Sequence, residues 1–142
     1  MVYRYRMRVP FGDADHAGLV YYPHIFHYFH LAYEDFFHEI LEMPYQDFFE
    51  LRCVGAPIVH SEAEFLRPLR HGDEIEVHAQ VLRMGTKSWT WRFSIFREGD
   101  AENEPRVVGT ITKVFVHMAT MKSQPLEEDV RAKVEAWLAQ GT

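Results

Sequence analysis

Between Tyr3 and Val9 the apolar side chains Tyr3, Tyr5, Met7 and Val9 alternate with Arg4, Arg6 and Arg8. A period of two is that of a β-strand with one buried and one wet face. The period changes beyond Pro23. Phe26, Phe29, Tyr33, Phe36, Phe37 and Ile40 recur at three- and four-residue steps, gathered on roughly a third of a helical circumference. This spacing predicts a long amphipathic helix that opens at Pro23, a residue suited to a first helical turn, and runs to about Leu41. Pro44 breaks it, and the segment PYQDFFELR predicts a short second helix before Gly55-Ala56-Pro57.

Period two then returns. Ile58 to Leu66 is one candidate strand, and Glu74 to Arg83 sets Ile75, Val77, Ala79 and Val81 against Glu74, Glu76, His78 and Gln80. After the turn Gly85-Thr86-Lys87, the residues Trp89, Trp91, Phe93 and Ile95 mark another buried face, so these two strands are expected to form a hairpin. The polar loop Glu98 to Pro105 leads into a long β-branched strand over Arg106 to Met118, and Leu126, Val130, Val134, Trp137 and Leu138 predict a terminal helix to about Ala139. Strand, long helix, four strands and a short helix make an α+β order. The connections after Glu74 are too short for parallel crossovers, so the sheet is antiparallel and one aromatic helix covers it.

A chain of 142 residues suffices for a single core, read as one domain over 1–142. The content of 11 Phe, 7 Tyr and 3 Trp argues against disorder. A net charge of −6 leaves no general basic field for nucleic acid or an anionic membrane, so an anionic ligand requires a local basic patch. The one cysteine, Cys53, allows no internal disulfide and no Cys-rich zinc site. The apolar runs are too short to span a bilayer, and the alternating start is unlike a signal peptide. A cytoplasmic location is the expectation.

Four groupings offer chemistry. Asp13 and Asp15 lie on a Gly-containing turn just before the helix that opens near Tyr22-Pro23. A helix N-terminus carries unpaired N–H groups and partial positive charge that polarise a carbonyl, and a neighbouring carboxylate is placed to attack it or to activate water. The same aspartates equally serve to fold the turn. His27, His30, Glu34 and His38 form a helical stripe with metal-ligand chemistry, but opposite the apolar face, where solvent is the simpler expectation. Arg67, Arg70, Arg83 and Lys87 fall at strand ends and turns, placed either to gather phosphates or to sit in water. Cys53 has no adjacent histidine and reads as a packing residue.

The segment FGDADHAGLVYYPHIFHYFHLAYEDFF, with the frame Asp13-x-Asp15-x-x-Gly18-x-x-Tyr21 and then an aromatic helix, resembles the 4-hydroxybenzoyl-CoA and short-chain acyl-CoA thioesterase branch of the hot-dog superfamily. Pro57-Ile58-Val59, the Arg67-Pro68 corner, Gly72-Asp73 and Lys87-Ser88-Trp89 extend the likeness over about residues 5 to 118. The resemblance implies a hot-dog fold, a sheet of about five strands curled around the central helix, in a homodimer or homotetramer whose sites form between subunits. It implies an acyl-CoA substrate and no cofactor. Asp15 matches the family's catalytic aspartate, and Tyr22 the position whose backbone N–H polarises the thioester carbonyl. Gly18 would allow close approach, Tyr21 and His60 are candidates for contact with the substrate's acyl part, and Arg83 and Lys87 for its phosphates. Two departures are His16 after Asp15, where the aryl-specific branch often has proline, and Gly85-Thr86 before Lys87, where basic residues would strengthen the grip. His24 is a further histidine near the helix start. An acyl-thioester dehydratase and a noncatalytic acyl-CoA-binding module are the competing readings of the same scaffold.

Overall fold

In the computed structural model, which describes residues 1–141, the arginine-spaced segment forms strand β1, Tyr3–Arg8. A short 3-10 turn, Phe11–Asp13, and a loop lead to helix α1, Tyr22–Glu39. Pro23 occupies its first turn, where a missing N–H costs nothing. The helix ends where Glu42 turns to a φ of 53° ahead of Pro44. Helix α2, Tyr45–Glu50, follows, then β2, Val54–Gly55. The remaining strands are β3, Ile58–Phe65, β4, Glu74–Met84, β5, Ser88–Arg97, β6, Val107–Val114, and β7, Val116–His117, before α3, Glu128–Ala139.

Five strands form one antiparallel sheet in the order β1-β4-β5-β6-β3, and β2 pairs with β7. The fold class agrees with the sequence reading. The expected strand over Arg106–Met118 is divided, because its end leaves the main sheet at Phe115 to pair with β2.

The inward positions of β4 and β5, Ile75, Val77, Ala79, Trp89, Trp91, Phe93 and Ile95, are all buried against α1. Phe29 stacks on Phe93 at 5.0 Å, Tyr33 meets Trp89 and Trp91 edge-on, and Phe36 packs on Trp91 and Trp137 at 4.9 Å. Aromatic pairs of this kind add roughly 0.5–1.5 kcal/mol each beyond area burial. Helix and sheet come this close because Gly109 has no side chain: a Cβ there would lie 2.7 Å from Phe29 Cε2 and 2.8 Å from the Glu62 carbonyl oxygen. Edge strand β3 is the exception to burial. Ile58, Val59 and Phe65 are more than half exposed, as is Leu66 just beyond it.

Candidate active site

The loop between β1 and α1 is built from its own side chains. Its stem pairs Ala14 with Val20, and Leu19 with Arg70, so it is held to the segment before β4. Asp15 closes the tip: its Oδ1 accepts the N–H groups of Ala17 at 2.8 Å and Leu19 at 3.3 Å, while its own N–H donates to the Leu19 carbonyl at 2.7 Å. Gly18 has a φ of +81°, a left-handed conformation that L side chains resist. Its role is therefore the turn itself. One carboxylate oxygen of Asp15 holds the loop, and Oδ2, which accepts no bond from the described residues, stays open on an exposed side chain.

Asp13 has different duties. Its Oδ2 accepts the Tyr28 hydroxyl at 2.6 Å, and its carbonyl accepts the Tyr21 N–H at 2.9 Å. Burial and this bond to a carboxylate push the Tyr28 ionisation above its ordinary range. Asp13 thus fastens the loop to the first turns of α1. Tyr22 is the first residue of that helix; its N–H makes no hydrogen bond within the described chain, and Pro23 has none to offer. The free donor sits at the positive end of an 18-residue helix. Gly12 to Ala17, Tyr21 and His24 line an open depression beside the helix start, which brings Asp15 and Tyr21 to one surface; Gly18 and Tyr22 adjoin these residues in the chain but are not among its lining.

The other expected substrate contacts lie elsewhere in the chain. Arg83 and Lys87 are exposed beside the β4–β5 turn, whereas the Asp15 loop is tied to Arg70 just before β4 begins. Strand β4 has 11 residues, which separates the two ends by about 30 Å. His60 is exposed on β3 near Glu62, opposite Thr112; its neighbour Ser61, exposed as well, rather than His60, lines the cavity beside α1. Arg67 is engaged with Asp100 and the Glu104 carbonyl, while the Arg70 guanidinium stands beside Gly18. Cys53 is free and exposed in the turn between α2 and β2.

A cavity of about 160 Å³ lies beside α1 and opens at the β3 edge, lined by Phe26, His30, Tyr33, Ile58, Ser61, Phe93, Ile111 and Lys113. Lys113 shares the inward parity of β6 with Val107, Gly109 and Ile111 and is only 5% exposed. That parity was the available sequence signal, since a lysine in phase with a buried face stands out once a strand's alternation is drawn. Burial pushes its ammonium down to about 8. His30 also departs from the expected solvent stripe: it packs against Tyr33 and Tyr45, and burial, with Lys113 and His27 adding to it, lowers its imidazole to about 4. His27 and His38 remain exposed, and among the described residues no three metal-ligating side chains converge. No helix among them is long and apolar enough to cross a membrane.

Proteins similar to this chain in sequence and in shape point to one family. The thioesterase-like superfamily matches residues 9–134. A 1,4-dihydroxy-2-naphthoyl-CoA hydrolase from Picosynechococcus sp. is 29% identical over 97% of this chain and 92% of its own, and the enzyme of that name from Gloeothece citriformis is 34% identical over 70% and 68%. Among solved structures, a gentisyl-coenzyme A thioesterase superimposes with a TM-score of 0.79 at 26% identity, covering 90% of this chain and 98% of the other. A thioesterase-superfamily protein from Jannaschia sp. reaches 0.85 at 28% identity, covering 95% and 92%. With a five-stranded antiparallel sheet wrapped on one long helix, and an aspartate loop at that helix's N-terminus, this chain belongs to the thioesterase-like superfamily.

Proposed function

We propose that this protein hydrolyses acyl-CoA thioesters, with Asp15 and the Tyr22 N–H as its reacting groups. The observation that carries the assignment is the pairing, in one loop-helix junction, of an unpartnered carboxylate oxygen with an unpartnered helix N-terminal N–H. The thioester carbonyl oxygen accepts the Tyr22 N–H, which stabilises negative charge as the carbonyl carbon becomes tetrahedral. Asp15 Oδ2 either attacks that carbon, expelling the CoA thiolate and leaving an acyl anhydride for water to cleave, or removes a proton from a water that attacks directly. Both routes end in a free acid and CoA. The names of the two naphthoyl-CoA hydrolases and of the gentisyl-coenzyme A thioesterase support this over dehydration.

Two features support a homo-oligomer as the working form. Edge strand β3 leaves backbone groups unpaired beside exposed Ile58, Val59 and Phe65, a surface that a second copy of the edge would cover. Arg83 and Lys87 lie too far from Asp15 of their own chain to share one site easily, so a partner's pair would hold the nucleotide phosphates. The free, exposed Cys53 favours a reducing, cytoplasmic setting. A thiol-release assay over short, long and aryl acyl-CoA esters tests the activity. Thiol release is the expected result; dehydration of 3-hydroxyacyl esters without it, or tight binding without turnover, would replace this reading with its competitors.

A further inference from the structure

We propose that Lys113 is a specificity-determining residue, whose ammonium recognises an acidic oxygen, phenolic or carboxylic, at the far end of the acyl group. The proposal rests on the thioesterase reading above. The Lys113 ammonium makes no hydrogen bond and no ion pair with the described residues; it lies 3.7 Å from the centroid of the Tyr33 ring. An ammonium removed from water with only a ring face beside it lacks the counter-charge that buried ions require. None of the groups packed around it pairs with it directly. From α1 come His30, held neutral, the Tyr33 hydroxyl, which is buried without a partner, and Glu34, whose charge favours the ammonium from a distance but which lies against His30 at 3.3 Å and not within ion-pair distance of Lys113. From β3 come Ile58 and Ser61, and from β5 Phe93.

The cavity is also placed where an acyl group would run. Tyr22, Phe26 and His30 follow one another at steps of four along α1, on one face. At a rise of 1.5 Å per residue, the cavity begins about 6 Å from the helix start and reaches beyond about 12 Å. Along this face, a substrate held by its carbonyl at the Tyr22 N–H would point its acyl group toward the cavity and Lys113. The volume of about 160 Å³ is close to that of a cavity that takes up one benzene ring. An acidic oxygen there meets the ammonium, whereas a purely apolar end leaves it unpaired.

Two substrate pairs test this: hydroxybenzoyl-CoA against benzoyl-CoA, and glutaryl-CoA against pentanoyl-CoA, each with wild type, Lys113→Met and Lys113→Gln. Wild type is expected to favour the acidic member of at least one pair tenfold or more in kcat/KM, and the pair that responds tells phenol from carboxylate. Both variants should bring that ratio to within threefold of unity, through a larger loss on the acidic ester than on the unsubstituted one; if Lys113→Met does not fold, Lys113→Gln decides. A wild type without preference, a preference that survives the substitutions, or an equal loss on both members of a pair overturns the proposal. Hydrolysis of none of the four esters by wild type would bear on the thioesterase reading and its wider ester screen, not on Lys113. Calorimetric binding of the matching CoA thioethers then judges Lys113 alone: loss of the acidic preference in the variants supports it, and no preference rejects it.

Discussion

Asp13 and Asp15 are two residues apart in one loop, yet their oxygens meet different partners. Asparagine at position 15 keeps an Oδ1 for the Ala17 and Leu19 N–H groups and removes the charge from Oδ2. Asp15→Asn is therefore expected to fold as wild type and to lose at least about 10²-fold in kcat, roughly 2.7 kcal/mol of transition-state stabilisation, in a thiol-release assay. Asp13→Asn weakens a charged acceptor for the Tyr28 hydroxyl; about 1 kcal/mol of stability should go, seen as a lower Tm, with more of the rate retained. Lys113 shows the cost of placing function in a core. Its ammonium is lowered from 10.5 to about 8 by burial, so the unfolded chain binds the extra proton between those values and stability rises with pH across that window. Below pH 8 the penalty is complete, about 3 kcal/mol. Lys113→Met should raise stability by up to that amount at pH 7, and the difference from wild type should vanish above about pH 10.5 in denaturant titrations.

At the scale of elements, the junction of α1 with β6 sets the distance between helix and sheet. The atoms facing Gly109 are a ring edge of Phe29 and the Glu62 backbone carbonyl, and the backbone cannot swing aside. Gly109→Ala is expected to cost about 1–3 kcal/mol by overpacking, read as a reduced Tm. Because α1 carries Tyr22, Phe26, His30 and Tyr33 together, lifting the helix should also widen the cavity and weaken acyl discrimination; the Asp15 loop, tied to α1 through Asp13 and to the segment before β4 through Leu19 and Val20, is strained between the two. The α3 helix steadies the other end. Lys133 donates to the Leu41 carbonyl at 2.8 Å, and Arg52 pairs with Asp129 and Glu127.

For the whole molecule, the separation of Asp15 from Arg83 and Lys87 along β4 is the decisive distance. If two copies join their β3 edges and share sites, each site takes Asp15 from one chain and Lys87 from the other. Co-expressed Asp15→Asn and Lys87→Ala chains should then recover activity that neither has alone at low substrate, at about a quarter of the wild-type number of sites for random pairing. No recovery in a confirmed mixed oligomer would return both groups to one chain. Phe65→Asp on the exposed edge should lower the mass seen by light scattering and reduce activity with it, since burying an unpaired carboxylate there opposes association.

The periodicities, two for strands and 3.6 for the helix, were enough to name each large element, because they record which faces leave water. The DADHAG turn before Pro23 likewise placed a carboxylate next to a helix start, a local relation that chain connectivity alone enforces. Other features required the packed chain. Val116 and His117 pair with Val54 and Gly55, a contact between residues more than sixty apart that no local pattern encodes. Tyr28 reads as a polar-edged aromatic until Asp13 is found at its hydroxyl. His30 belongs by spacing to a wet histidine stripe, and only its packing on Tyr33 and Tyr45 turns it toward the cavity. The parity of Lys113 was visible in the chain, but its meaning was not. Whether an inward lysine meets a carboxylate, water or an empty cavity depends on which strands and helix surround it, and tertiary structure alone decides that.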